Sequence, residues 1–246
     1  MTGHDEFAID AGRFREALLQ ERSMSLKGSL YHLNQITFAY HSNRIEGSRL
    51  SADQTRYLYE TRTITGEARL DDVVETTNHF RLFDAMLDSV GTPLTAARIR
   101  EYHTILKTGT SDADKDWFAV GGWKTRENIV GGRDTTPPGF VGVAIDDLIA
   151  AYPGDMTFED ICDFHHRFES IHPFQDGNGR VGRIIMFAQC LDNDIMPFIV
   201  LDDDKFYYYR GLTEYESEPG YLRDTFRHFQ DRYHAAFAKF LATSGD

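Results

Sequence analysis

Twelve consecutive residues, His172-Pro173-Phe174-Gln175-Asp176-Gly177-Asn178-Gly179-Arg180-Val181-Gly182-Arg183, collect an imidazole, a carboxylate, two guanidiniums and three glycines. Imidazole titrates nearest neutrality among side chains, so His172 is a candidate base for an attacking hydroxyl. Asp176 offers a hard oxygen to a magnesium ion that bridges two phosphates. Gly177 and Gly179 let an anion come close to the backbone. Arg180 and Arg183, three apart, project from neighbouring positions where both can reach one polyphosphate chain. Two arginines at the start of a helix oppose its dipole, a placement that an anionic ligand among them would explain.

The elements around this run decide between two phosphate-binding readings. Residues 177–182 also fit GxGxxG, but a dinucleotide fingerprint needs a buried strand just before the first glycine. Residues 158–171 instead place Phe158, Ile161, Phe164, Phe168 and Ile171 at helix spacing. The local order is therefore helix, a short loop from His172 to Asn178, and a second helix opening near Gly179. The unpaired N–H groups and positive dipole end of that second helix face the anion. Phe174 is the inward anchor of the loop.

Helical spacing runs through most of the chain, as in Leu70, Val73, Val74, Thr77, Phe80, Leu82, Phe83 and Met86. Further helices are predicted at roughly 10–23, 28–45, 51–61, 95–106, 143–151, 157–170, 180–192, 203–216 and 220–241. Ser51 or Asp53 caps one of these, and Thr157 with Asp160 forms a capping pair for another. The exception is 118–142, glycine-rich with short Trp, Ile and Val runs and a Pro137-Pro138 break, which reads as a hairpin or ordered loop. A plain connection is the alternative, although about 25 residues is long for one. The expected fold is all-α, a mainly helical bundle with a short β-hairpin flap. An N-terminal helical region over 1–90 precedes a core with C-terminal helices over 91–246.

A formal charge of −13 disfavours nucleic-acid polymers and anionic lipid surfaces, yet local arginines can still hold a mononucleotide. Cys162 and Cys190 show no CxxC spacing, which fits free thiols in a reducing compartment and argues against structural zinc. Residues 1–6 lack a basic and apolar leader, and no apolar run of membrane-spanning length occurs. The expectation is a cytoplasmic protein with no membrane partner.

The run at 172–183 resembles the Fic family of protein adenylyltransferases. Its signature HxFx(D/E)GNGRxxR is matched at every fixed position by His172, Phe174, Asp176, Gly177, Asn178, Gly179, Arg180 and Arg183. The resemblance covers roughly residues 95–230. It implies transfer of AMP from ATP, with Mg2+, to a Ser, Thr or Tyr hydroxyl of a target protein. His172 would be the base, Asp176 the magnesium ligand, Gly177-Asn178-Gly179 the phosphate cradle, and Arg180 and Arg183 the clamps. The same resemblance makes the 118–142 loop a flap that holds a target segment in extended form, with Glu127, Asn128, Ile129, Val130 and Gly131, on to Gly132, as its working edge. Tyr208 and Tyr209 fall where the family places adenine contacts; stacking on the base and simple core packing both stay open.

Ser42-Asn43-Arg44-Ile45-Glu46-Gly47 places Ser42 and Glu46 four apart at a helix end, with Gly47 suited to terminate it. It resembles the family's (S/T)xxxE(G/N) inhibitory motif, which implies that Glu46 pairs with Arg183 and takes the space the γ-phosphate needs. In some relatives this glutamate also supports removal of AMP. Self-modification and a homo-oligomer are compatible with the reading. Two rivals remain: a Fic-type transfer of phosphate or of another nucleotide, and a non-catalytic nucleotide-binding regulator. The retained Arg183 counts against the phosphate-transferring variant and the retained His172 against the regulator.

Overall fold

The apolar periodicities fold as ten α-helices among the described residues, which are 3–24 and 26–241 of a computed structural model. Met1 and Thr2, where the leader was sought, lie outside them. The helices are α1 (Gly3–Met24), α2 (Leu30–Ile45), α3 (Ala52–Thr61), α4 (Leu70–Ser89), α5 (Ala96–Lys107), α6 (Val141–Ala150), α7 (Phe158–Ile171), α8 (Asn178–Asp192), α9 (Lys205–Thr213) and α10 (Gly220–Phe237). Ser51 caps α3 in a reciprocal box with Gln54, and Thr157 caps α7 in one with Asp160. The helix expected at 203–216 stops at Thr213. There the amides of Ser217 and Glu218 close on the Glu214 carbonyl at 3.0 and 2.8 Å and turn the chain into α10.

Only one small sheet forms among the described residues: β1 (Ile129–Val130) and β2 (Arg133–Asp134), antiparallel, with Ile129 opposite Asp134. Gly131 and Gly132 bridge them with φ of 58° and 77°. A two-residue turn with both central φ positive matches the twist of antiparallel strands. The outcome is the mainly α fold with a short hairpin that the sequence patterns predict.

α8 is buried on nearly every side, packed against α7, α4, α5, α2 and α1. One cluster of buried side chains extends from Phe14 in α1 to Leu241, and takes in Phe38, Phe83, Phe168, Phe187 and Phe226. α2 lies antiparallel on α8. Phe38 meets Phe187 at 5.3 Å between ring centroids, Ser42 Oγ meets Arg183 Nε at 3.0 Å, and Glu46 abuts Gly179. Each step is four residues along both helices, so one seam of side chains fixes the end of α2 against the start of α8. No helix among the described residues is long and apolar enough to cross a membrane.

Phe38→Ala is expected to cost about 3–5 kcal/mol in urea unfolding, since the ring is buried between α4 and α8. Acid should also destabilise the fold. Burial holds His79 and His165 down at about 3 and His103 at about 4. The unfolded chain binds those protons near 6.5 and the native one does not, so this stability is present above 6.5 and is lost as pH falls toward 4. Glu169, which burial pushes up to about 8, runs the other way, and burial raises Asp192 as well. The urea midpoint is therefore expected to fall steadily from pH 6.5 to 4.5.

Candidate active site

α7 ends on His172 in the left-handed region, φ 50°, with its amide bonded to the Phe168 carbonyl at 3.0 Å. A non-glycine residue there is uncommon and persists only where its surroundings enforce it. The enforcement is visible. Phe174 is fully buried and stacks on His103 at 3.9 Å between near-parallel rings. Asn178 closes the loop from the other side: its Oδ1 accepts from the Phe174 amide at 2.7 Å and its Nδ2 donates to the Phe174 carbonyl at 2.9 Å. His103 adds a third tie. Its Nδ1 accepts from the Gly121 amide at 2.9 Å, which leaves Nε2 to donate to the Asp176 carbonyl at 3.1 Å.

Gly177 is the N-cap of α8 and supplies no side-chain cap, so the first amides of the helix are left for an anion. The position beside them is filled by the Glu46 carboxylate. α2 ends in a Schellman motif: the Gly47 amide bonds the Arg44 carbonyl at 3.0 Å and the Ser48 amide bonds the Asn43 carbonyl at 3.0 Å. Gly47, at φ 93°, is the left-handed residue this motif requires. The rigid end points Glu46 at α8, where its Oε1 lies 2.7 Å from Arg183 Nη2 and so close to Gly179 that a β-carbon there would collide with it. The Arg183 side chain is 1 % exposed and also donates to Ser42 Oγ and Ser42 O, both at 3.0 Å. Despite its burial, Arg183 is pushed further above its usual range by Glu46.

The two arginines do not share a carboxylate. Arg180 pairs with Glu75 at 2.5 Å and Asp176 at 3.0 Å. Lys107, 1 % exposed, completes that cluster, with Nζ at 2.5 Å from Glu75, 2.8 Å from Asp112 and 2.7 Å from Asp176. Burial alone would raise the Asp176 carboxyl, but Arg180 and Lys107 hold it down at about 2. Glu75, Asp112 and Asp176 are the one group of carboxylates with metal-binding spacing among the described residues, and the Lys107 ammonium already stands among them. Both cations approach Asp176 at Oδ2, and 45 % of its side chain remains open to a concavity of about 320 Å³.

A second cavity of about 370 Å³ lies across Glu46 and is walled by His172, Gly179, Arg183, Tyr208, Tyr209 and the flap residues Val130, Gly131 and Thr135. His172 sits in it as a neutral imidazole: burial, and then the Lys124 ammonium, lower it to about 4. Tyr208 is buried and its hydroxyl meets His165 Nε2 at 2.9 Å, whereas half-open Tyr209 donates to the Ile45 carbonyl at 3.2 Å. In the flap, Ile129 and Val130 are exposed, as is Glu127. Asn128 instead points inward, its Nδ2 on the Phe174 carbonyl at 3.1 Å.

The sequence reading did not single out Glu75, Lys107, Lys124 or Glu169. Glu169 precedes His172 by three residues, lines the same cavity and keeps Oε1 buried without a hydrogen-bond partner. His103 and Glu75 belong to no local motif, and only the packing of α4 and α5 on α8 reveals them.

The sequence profile of the Fic/DOC family matches residues 93–190. Over 212 residues the chain is 25% identical to the protein adenylyltransferase Fic of Aedes aegypti, covering 83% of this chain and 41% of that protein. A probable protein adenylyltransferase of Aquifex aeolicus is 34% identical over 85 residues, 32% of this chain and 26% of its own length. The chain thus spans at most about two-fifths of these relatives. Among solved structures, a Fic-domain signaling protein from Bacteroides thetaiotaomicron superposes with a TM-score of 0.69 at 23% identity, covering 94% of both chains. Residues 134–508 of Fic-1 from Caenorhabditis elegans give 0.68 at 20% identity, over 97% of this chain and 72% of that one. The match to the Fic/DOC family thus falls on residues 93–190, which hold the His172 loop and the start of α8.

Proposed function

We propose that the chain transfers AMP from ATP to a hydroxyl side chain of a target protein, and that Glu46 restrains it. The observation that carries the reading is the meeting, in one cavity, of a neutral imidazole, an uncapped helix start and a buried guanidinium held by a carboxylate of the same chain. A neutral His172 is ready to accept the hydroxyl proton as the oxygen bonds the α-phosphorus. The α–β phosphoanhydride bond then breaks, and pyrophosphate leaves with its charge against the α8 amides and Arg183. Asp176 fits magnesium: a single hard carboxylate facing solvent suits an ion that keeps several waters and takes its other ligands from phosphates. Bound there, Mg2+ would neutralise phosphate charge. Lys107 and Arg180 hold Asp176 ionised in readiness.

In this reading Arg183 is the phosphate clamp and Arg180 a support of Asp176, since Arg180 is committed to Glu75. Gly177 and Gly179 form the cradle, while Asn178 shapes it by closing the loop on Phe174. Tyr209 borders the nucleotide and Tyr208 supports its wall. Glu127, Ile129, Val130 and Gly131 form the edge that lays out the target segment, whose main chain would add a strand to the hairpin. Glu46 occupies the place of a γ-phosphate, and the same carboxylate, which shares a cavity with His172, would orient water for removing AMP. The partner is a protein hydroxyl, self-modification included, and the compartment the cytoplasm; the 1–90 region acts as the bearer of the brake.

With magnesium and labelled ATP, Glu46→Gly is expected to gain the mass of one AMP, wild type to gain little, and Glu46→Gly with His172→Ala to gain none. A gain of one phosphate, or transfer that survives His172→Ala, contradicts the reading. The pH dependence of kcat/KM for Glu46→Gly at saturating magnesium gives a second check, because that ratio reports the free enzyme. His172 lies at about 4 and Glu46 is among the groups that raise it. The acid limb is therefore expected well below 6.5, with the base-controlled rate flat from pH 6 to 8. A limb at 6.5 or above would show that a different base, or a solvated His172, acts.

A further inference from the structure

Lys124 precedes the hairpin and is 3 % exposed, yet no carboxylate among the described residues pairs with it. Its three ammonium protons go to Asn128 Oδ1 at 2.8 Å, Thr135 Oγ1 at 2.5 Å and the Ile171 carbonyl at 3.2 Å. Its own amide donates to the Pro173 carbonyl at 2.8 Å. One residue therefore holds the carbonyls of both neighbours of His172, which sits between them at φ 50°. The same ammonium holds both ends of the flap, since Asn128 stands just before β1 and Thr135 just after β2. The stem is closed by Thr135 Oγ1 donating to the Asn128 carbonyl at 3.0 Å and by Asn128 Nδ2 on Phe174 O at 3.1 Å.

Two residues per strand, with both side chains of β1 exposed, cannot hold a hairpin in place by themselves. Where the flap stands relative to His172 must be set at its base. A buried ammonium satisfied by neutral acceptors alone is an expensive way to fill space, and a methionine of similar length would avoid the desolvation. Burial lowers the Lys124 ammonium to about 8, with Glu127 opposing. The cost is understandable where a tetrahedral donor is needed to tie three acceptors at one point.

We propose that Lys124 is a positioning residue: the joint that sets the distance and orientation of the peptide-holding flap relative to His172, and so places the acceptor hydroxyl for attack. The inference rests on the transfer reading above. It predicts that geometry and charge at Lys124 act separately. Around His172, Lys124 lowers its titration while Glu46 and Asp176 raise it; Glu127 is the acid that acts on Lys124 itself.

The test uses the full chain with Glu46→Gly as parent, adding Lys124→Met or Lys124→Arg. Hydrogen exchange is read over residues 126–136, and His172 is titrated by labelled-histidine NMR, its signal identified by its loss in His172→Ala. Lys124→Met should speed flap exchange by about tenfold or more, with α7 and α8 unchanged, and should raise the His172 pKa. Lys124→Arg keeps the charge but cannot bond all three acceptors from a planar fork, so the flap should loosen while His172 stays low. In self-modification with labelled ATP, kcat should fall about 100-fold with KM for ATP within about twofold. Unchanged flap exchange in both variants would overturn the proposal, as would a raised KM for ATP at undiminished kcat, which would make Lys124 a nucleotide contact. If the parent transfers no AMP, the transfer reading fails, while exchange and titration still decide whether Lys124 joins the flap to His172.

Discussion

A guanidinium as deeply buried as that of Arg183 requires an anion, and the antiparallel seam between α2 and α8 supplies one from within the chain. Phe38 on Phe187 sets the register, Ser42 Oγ and O take two of the guanidinium's donors, and Glu46 takes the charge. Removing a partner from such a pair leaves an uncompensated buried charge, which is strongly unfavourable unless another anion replaces it. The start of α8, with its uncapped amides, is where that replacement would come from. The stability of the seam and the reactivity of the site thus draw on the same interaction.

The placement of Arg180 follows from the same electrostatics. Two cations in the first turn of a helix repel each other and oppose its dipole. The fold resolves this by giving each its own carboxylates: Glu75 and Asp176 for Arg180, Glu46 for Arg183. Lys107 then balances the excess of acids around Arg180. One consequence is that Asp176 stays ionised whether or not a divalent cation is near it. Another is that Glu46 borders both concavities.

What was legible in the sequence was what repeats locally or is spelled in one stretch. The apolar spacing of 158–171 and the Thr157–Asp160 pair gave α7, and the glycines after His172 gave the opening of α8. Ser42 and Glu46, one turn apart, were legible as a pair, and the contact with Arg183 followed from a resemblance that the α2–α8 seam now explains physically. The pairing of Arg180 with Glu75 was not legible, because the two stand 105 positions apart and no local pattern joins them. Lys107 and Lys124 were hidden for a related reason. Lysine is ordinarily a surface residue, and only the tertiary packing shows these two to be buried. The resemblance put Asn128 in the working edge of the flap; its side chain bonds Lys124 and the Phe174 carbonyl.

The central claim is that Arg183 cannot serve a γ-phosphate while Glu46 holds it. Calorimetric titration of wild type and Glu46→Gly with MgADP and with a magnesium-bound non-hydrolysable ATP analogue tests this directly, because the two ligands differ in the γ-phosphate. In wild type the two should bind with similar affinity. In Glu46→Gly the analogue should bind about 10- to 100-fold more tightly than ADP, the worth of a charge-assisted contact to a freed guanidinium. An equal ratio of the two affinities in both proteins would contradict the claim, and Glu46 would then be a structural cap of α8 and not the occupant of a phosphate site.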